Sequence, residues 1–332
     1  MLLRIDHETA LNYSEPVFEH VFELRMAPFS NEEQTSLGYR LHVSPLAPTT
    51  PYRDGHGNRV ELITLLAPCQ KILVRATSYV RTHRRPAKER LAGLQLGSAI
   101  GSDSLTVEAM DYLGHSPQAD GGDWLEKMAA SINLALDTPI EDFLNSLIQS
   151  VSQTIRYEKM STEANTKASE AVALGAGVCQ DFSHIFISLC RRLGMAARYV
   201  SGYIHQPGEM ATHAWVQVWC GQLCGWVDLD PTHKCFVGDD HVQVAIGCDY
   251  NDVPPNRGAW RGMATEDIQV SVRVEPVLRL PAEWIDSETL PLKGAKTETG
   301  NNPQRGAPRP SARQFQRILY RQQQHQQQQQ QQ

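Results

Sequence analysis

The stretch GAGVCQDFSHIFISLCRRLG, residues 175–194, decides how this chain folds. Phe182, Ile185, Phe186, Leu189, Cys190 and Leu193 follow the i, i+3, i+4, i+7, i+8, i+11 spacing of an amphipathic helix, and Gly194 is the residue type that ends one in a left-handed turn. The two cysteines therefore occupy different environments. Cys190 lies in the apolar stripe, where a thiol behaves as a small hydrophobe. Cys179 stands at the helix start, where unpaired amides and the positive end of the helix dipole favour an anion, and Gly175 and Gly177 let backbone and substrate approach closely. Cys179 would equally serve as the first member of the buried stripe, one turn before Phe182. The helix alone does not separate these two readings.

A nucleophilic thiol needs a base, and the base needs an orienting group. His184 is excluded, because five residues along a helix rotate it about 140° away from Cys179. Strand patterns follow the helix: AARYVSGYI, HAWVQVWC and GWVDLD. In HAWVQVWC, His213, Trp215, Gln217 and Trp219 share one face. If this strand pairs with GWVDLD so that Trp219 faces Trp226, then Gln217 faces Asp228. Asp230 becomes a diagonal neighbour of His213, at about 7–8 Å between backbones. Asp228 would lie ~13 Å away, so Asp230 is the expected orienter. Pro231 favours an extended conformation at Asp230. A slip of one residue would separate the histidine from the acids, and His205 and His233 remain candidate bases on periodicity.

Residues 13–80 read as strands, in VFEHVFELRM, LGYRLHV, NRVELITLL and KILVRATSYV, separated by turn-forming stretches such as PLAPTTPYRDGHGN. The expected organisation is an antiparallel β domain over residues 1–80, a connecting region with short helices over 81–137, a core over 138–280 and a disordered Pro- and Gln-rich tail over 281–332. The core opens on TPIEDFLNSLIQSVSQTI, a helix with Thr138 as cap, Pro139 in the first helical position and Glu141 completing a capping box. Ile268, Val270, Val272 and Val274 alternate as one further strand.

The 332 residues suit two domains, with 41% hydrophobic and 20% charged content as in ordinary globular chains. No apolar run approaches the roughly 20 residues of a membrane helix, and Asp6 and Glu8 come too early for a secretory signal. Seven cysteines without framework spacing point to free thiols. A cytoplasmic location is expected. Residues 291–332 hold seven Lys or Arg and one acid, so the net charge of −6 leaves −12 on residues 1–290, which argues against nucleic-acid binding.

The segments GVCQDFSHIFISLCRRLGMAARYVSGY, THAWVQVW and GWVDLDPTH resemble the three motif blocks of bacterial transglutaminase-like proteins. NYSEPVFEHVFELRMAP and DGHGNRV resemble the N-terminal β domain of one branch, and CDYNDVPPNRG a segment after its core. The resemblance implies an α+β fold: a papain-like transglutaminase core, its cysteine-bearing helix packed on an antiparallel sheet, preceded by a small antiparallel β-sandwich. It matches Cys179 to the nucleophile, His213 to the base and Asp230 to the third catalytic member. It departs at Cys248, where the family segment carries arginine.

The implied chemistry is acyl transfer through a thioester, with a glutamine-bearing or other amide-bearing protein or peptide as substrate and a primary amine as acceptor. Hydrolysis by a cysteine amidase or peptidase is the nearest alternative, and a non-catalytic binding module retaining the fold is another. No nucleotide loop or EF-hand is present, so no cofactor and no nucleic-acid or membrane partner is expected. A zinc site from Cys220, Cys224, His233 and Cys235 is disfavoured, because C-x3-C-x8-H-x-C lacks the usual second spaced pair.

Overall fold

The computed structural model describes residues 1–100, 104–206 and 212–285. The chain begins with a long strand, β1 (Leu2–Leu24), followed by β2 (Gln34–Ser44), β3 (Thr49–Arg53), β4 (Arg59–Leu65) and β5 (Cys69–Thr82). Helices α1 (Ala87–Leu91), α2 (Val107–Met110) and α3 (Asp123–Ala130) lead to α4 (Ile140–Thr154), β6 (Arg156–Tyr157), α5 (Ala168–Leu174), β7 (Ala176–Gly177) and α6 (Cys179–Arg192). Then come β8 (Ala197–Ile204), β9 (Thr212–Trp219), β10 (Trp226–Asp230), β11 (Cys235–Phe236), β12 (His241–Gly247), β13 (Asn256–Arg261), β14 (Glu266–Pro276) and α7 (Ala282–Ile285). Among the described residues no helix is long and apolar enough to cross a membrane.

Strand β1 organises the N-terminal sandwich because it belongs to both of its layers. Its first half pairs with β5 and β14, its second half with β4 and β13, and the register shifts between Asn12 and Val17. Leu3, Ile5, His7, Thr9, Leu11 and Tyr13 alternate inward at period two. The opening residues therefore form a strand that the sequence reading passed over, since charged and polar residues dilute the alternation. Leu11, Val17, Phe22, Ile63, Ile72 and Val74 fill the space between the layers.

Three boundaries differ from expectation. Residues 256–276 complete the N-terminal sandwich as β13 and β14 rather than closing the core expected over 138–280, because alternation reveals a strand but not its partner. The loop expected at PLAPTTPYRDGHGN contains β3, an edge strand that tolerates Pro51. The first residues of the tail expected from 281 are helical instead: α7 lays Trp284 against Tyr79, ring centroids 4.8 Å apart, with the Arg40 guanidinium 4.1 Å from the indole centroid. The remainder of that expected tail, residues 286–332, lies outside the described residues.

The core is an antiparallel sheet in the order β11-β10-β9-β8-β12, with α6 packed on β8 and β9. Every residue of α6 from Asp181 to Arg191 is buried, so the helix is enclosed on all sides rather than along one stripe. Gly194 takes a φ of 81° after its last turn, and the amide of Met195 reaches back to the Cys190 carbonyl at 2.9 Å.

Helix α4 forms where expected but is started differently: Thr138 makes no side-chain cap, and the Ile140 amide instead donates to the Leu94 carbonyl at 3.1 Å. The loop before the helix thus satisfies the exposed donor.

Strand β12 is an edge, and edges leave backbone groups unpaired. Two amide side chains from the sandwich close it. Gln34 donates to the Gln243 carbonyl and accepts from its amide, both at 2.8 Å, and Asn58 does the same with Ile246, also at 2.8 Å each. His7 and Tyr203 add a 2.9 Å hydrogen bond across the same seam.

Candidate active site

Cys179 is the first residue of α6, and its half-buried side chain borders the core. The helix start is held by Asp181, whose Oδ2 accepts from the Val178 amide at 2.8 Å and from the Thr162 hydroxyl at 2.6 Å. Asp181 is fully buried, and that burial raises its pKa against these hydrogen bonds. Its place explains Gly177: a Cβ there would come within 2.6 Å of the Asp181 Cβ.

β9 and β10 pair with Trp219 opposite Trp226 and Gln217 opposite Asp228, the register on which the choice of Asp230 depended. His213 Nε2 meets Asp230 Oδ2 at 2.7 Å, leaving Nδ1 for the thiol. Burial opposes a charge on His213, but the hydrogen bonds to Asp230 and to Cys179 outweigh it and push its pKa up to about 10. His213 is thus bonded to Asp230 and stands beside Cys179.

Asp230 is fully buried and accepts five hydrogen bonds. Its Oδ1 takes the amides of Thr232 and His233 at 2.9 and 3.0 Å, the turn favoured by the Asp-Pro-Thr-His sequence. Its Oδ2 takes His213, His233 Nδ1 at 2.6 Å and His241 Nε2 at 3.2 Å. Burial alone would raise its pKa, and the three imidazoles drive it far below the ordinary carboxylate range.

His233, a candidate base in the sequence, supports the acid instead. His205 turns away, its Nδ1 3.0 Å from the Val274 carbonyl. His184 is buried within α6, accepts from the Tyr250 amide at 3.2 Å and is pushed down to about 3 by burial, so it stays neutral. Asp228 has a structural role: it accepts from Trp215 Nε1 at 2.8 Å and from Gln217, and faces Arg84 at 3.3 Å. Trp215 in turn stacks beside His213, ring centroids 6.2 Å apart.

An uncharacterized protein of Mycobacterium tuberculosis is 30% identical over 290 residues, covering 82% of this chain and 92% of that protein. One from Mycobacterium leprae is 27% identical over 281 residues, covering 82% and 98%. The transglutaminase-like superfamily model matches residues 126–231, and the bacterial transglutaminase-like N-terminal region matches residues 3–81.

The chain belongs to the transglutaminase-like superfamily. Its fold is that of a candidate cysteine protease from Cytophaga hutchinsonii, with a TM-score of 0.69 over 85% of this chain and 93% of that one at 20% identity. The sequence reading of this transglutaminase-like protein overlooked His241. That histidine opens β12, and only the pairing of β12 with β8 carries it to Asp230. No local pattern marks it. Cys220, Cys224, His233 and Cys235 do not gather into one ligand group among the described residues.

Proposed function

We propose that this transglutaminase-like protein is a cysteine acyltransferase in which Cys179 is the nucleophile, His213 the acid and base, and Asp230 the orienting carboxylate. The observation that carries the reading is His213 standing between the Cys179 thiol and Asp230 Oδ2. The ion pair of thiolate and imidazolium is the attacking form. The sulfur adds to a carboxamide carbon of a glutamine-bearing protein or peptide, and the carbonyl π electrons move to its oxygen. The Cys179 amide at the free end of α6 is positioned to donate to that oxygen, and loss of one such donor typically costs ~10²–10³ in rate. As the tetrahedral adduct collapses, the C–N bond breaks, the His213 proton passes to the departing ammonia and a thioester remains. A primary amine then attacks the thioester, neutral His213 takes its proton, and the new amide leaves as Cys179 is regenerated.

Incubation with a glutamine peptide and a labelled primary amine tests this, with the acyl-enzyme located by mass spectrometry. The expected results are a thioester on Cys179 and label in the peptide. Ammonia release with the same adduct but no label would replace transfer by hydrolysis. A folded Cys179→Ala variant that retains activity would remove Cys179 from the chemistry.

A further inference from the structure

We propose that His56, Cys248 and Asp252 form a binding site for a zinc-class divalent transition metal ion at the seam between the sandwich and the core. The site is separate from the reaction proposed above and does not depend on it. One imidazole nitrogen, one thiol sulfur and one carboxylate oxygen from these residues lie within 4.8 Å of one another. They come from two distant segments: the turn between β3 and β4, and the residues that follow β12.

The spacing also admits a bridging metal ion. His56 Nε2 and Asp252 Oδ2 are 3.3 Å apart. That separation matches the edge, about 3.3 Å, of a tetrahedron with bonds of ~2.0–2.1 Å. Sulfur, imidazole and carboxylate together suit zinc or cobalt rather than calcium or magnesium, and three protein ligands leave a fourth position for water.

Each ligand is already oriented by a neighbour. His56 Nδ1 lies 2.9 Å from the Tyr112 hydroxyl, which fixes the ring and leaves Nε2 facing the site, as outer partners of metal-bound histidines do. Asp252 Oδ2 is held by the Cys248 amide at 2.7 Å. The Cys248 thiol is in no disulfide and lies 4.0 Å from the Asp111 carbonyl. Asp54 fixes the turn by accepting from the His56 and Asn58 amides, each at 3.0 Å, and Asn58 fastens that turn to β12.

The group around Asp230 differs. It holds no thiol, and its three imidazoles all converge on one carboxylate oxygen, at 2.7, 2.6 and 3.2 Å.

The full chain, stripped with a chelator and titrated with Co²⁺ alone, tests the proposal. One equivalent is expected to bind with a thiolate-to-cobalt charge-transfer band that Zn²⁺ displaces. Cys179→Ala is expected to keep the band, and Cys248→Ser to lose it. His56→Gln and Asp252→Asn are expected to bind roughly 10-fold or more weakly, at least the scale seen when only an outer partner is lost. The exposed turn carrying His56 makes His56→Gln the control should Cys248→Ser fold poorly. Absence of the band from the folded wild-type chain, its persistence in Cys248→Ser, or undiminished affinity in folded His56→Gln would overturn the site.

Discussion

His241 bridges Asp230 and Asp240, its Nε2 3.2 Å from Asp230 Oδ2 and its Nδ1 2.8 Å from Asp240 Oδ1. An imidazole with a carboxylate at each nitrogen can donate to both only as a cation. Burial works against that charge and the two acids prevail, so the His241 pKa is raised. His241 therefore competes with His213 for the same oxygen and places a positive charge beside it. In His241→Ala the competing cation is gone and His213 holds its proton more tightly, so the alkaline limb of kcat/KM moves to higher pH. The looser carboxylate lowers kcat by between about 10- and 100-fold. A pH–rate profile of the variant checks both effects, and an alkaline limb that moves down would reject the bridge.

Gly177→Ala pushes a methyl group to within 2.6 Å of the Asp181 Cβ, where neither the enclosed helix nor the buried carboxylate can yield. Overpacking of this kind costs about 1–3 kcal/mol, and here it also displaces the residue that holds the amide before Cys179. A lowered Tm together with slower alkylation of Cys179 by iodoacetamide is expected. A variant with unchanged alkylation kinetics would mean that Asp181 does not set the position of the thiol.

What the sequence made legible follows from the range of the signals. The spacing along α6, the alternation in β9 and β10, and Pro231 after Asp230 are local signals, and together they make Cys179, His213 and Asp230 the favoured candidates while leaving His205 and His233 open as bases. His241 and the return of β14 to β1 depend on which strands become neighbours, and alternation is silent on partners. The first half of β1 was hidden for a different reason. Its inward positions include His7 and Thr9, polar residues that are buried because His7 bonds Tyr203 and Thr9, a pairing visible only after folding.

The amide clamp on β12 should behave as a backbone substitute. Gln34→Leu removes one donor and one acceptor at once and leaves the amide and carbonyl of Gln243 buried without partners. Each such group costs about 1–3 kcal/mol. Asn58→Leu does the same at Ile246. Urea unfolding is expected to show each variant destabilised by several times the effect of Gln70→Leu, whose amide lies in an exposed bond to the Ser14 carbonyl. Equal midpoints for Gln34→Leu and Gln70→Leu would show that solvent reaches the edge.

Acid sensitivity should begin while the carboxylates are still ionised, because buried histidines must gain protons to unfold. Burial lowers the pKa of His184 from 6.5 to about 3 and those of His7 and His20 to about 4. A group whose folded pKa is depressed contributes stability in full above its unfolded value, and that contribution is lost as pH falls through the folded one. The stability held by these three histidines is therefore present above pH 6.5 and declines from there toward pH 3 to 4. In His184→Gln the side-chain oxygen can still accept from the Tyr250 amide, but nothing titrates at that position. Its unfolding free energy should fall less steeply than wild type across this window, by about one proton's worth of slope. Urea titrations at several pH values within the window measure that slope, and parallel curves for the two proteins would show that His184 is already protonated in the folded state.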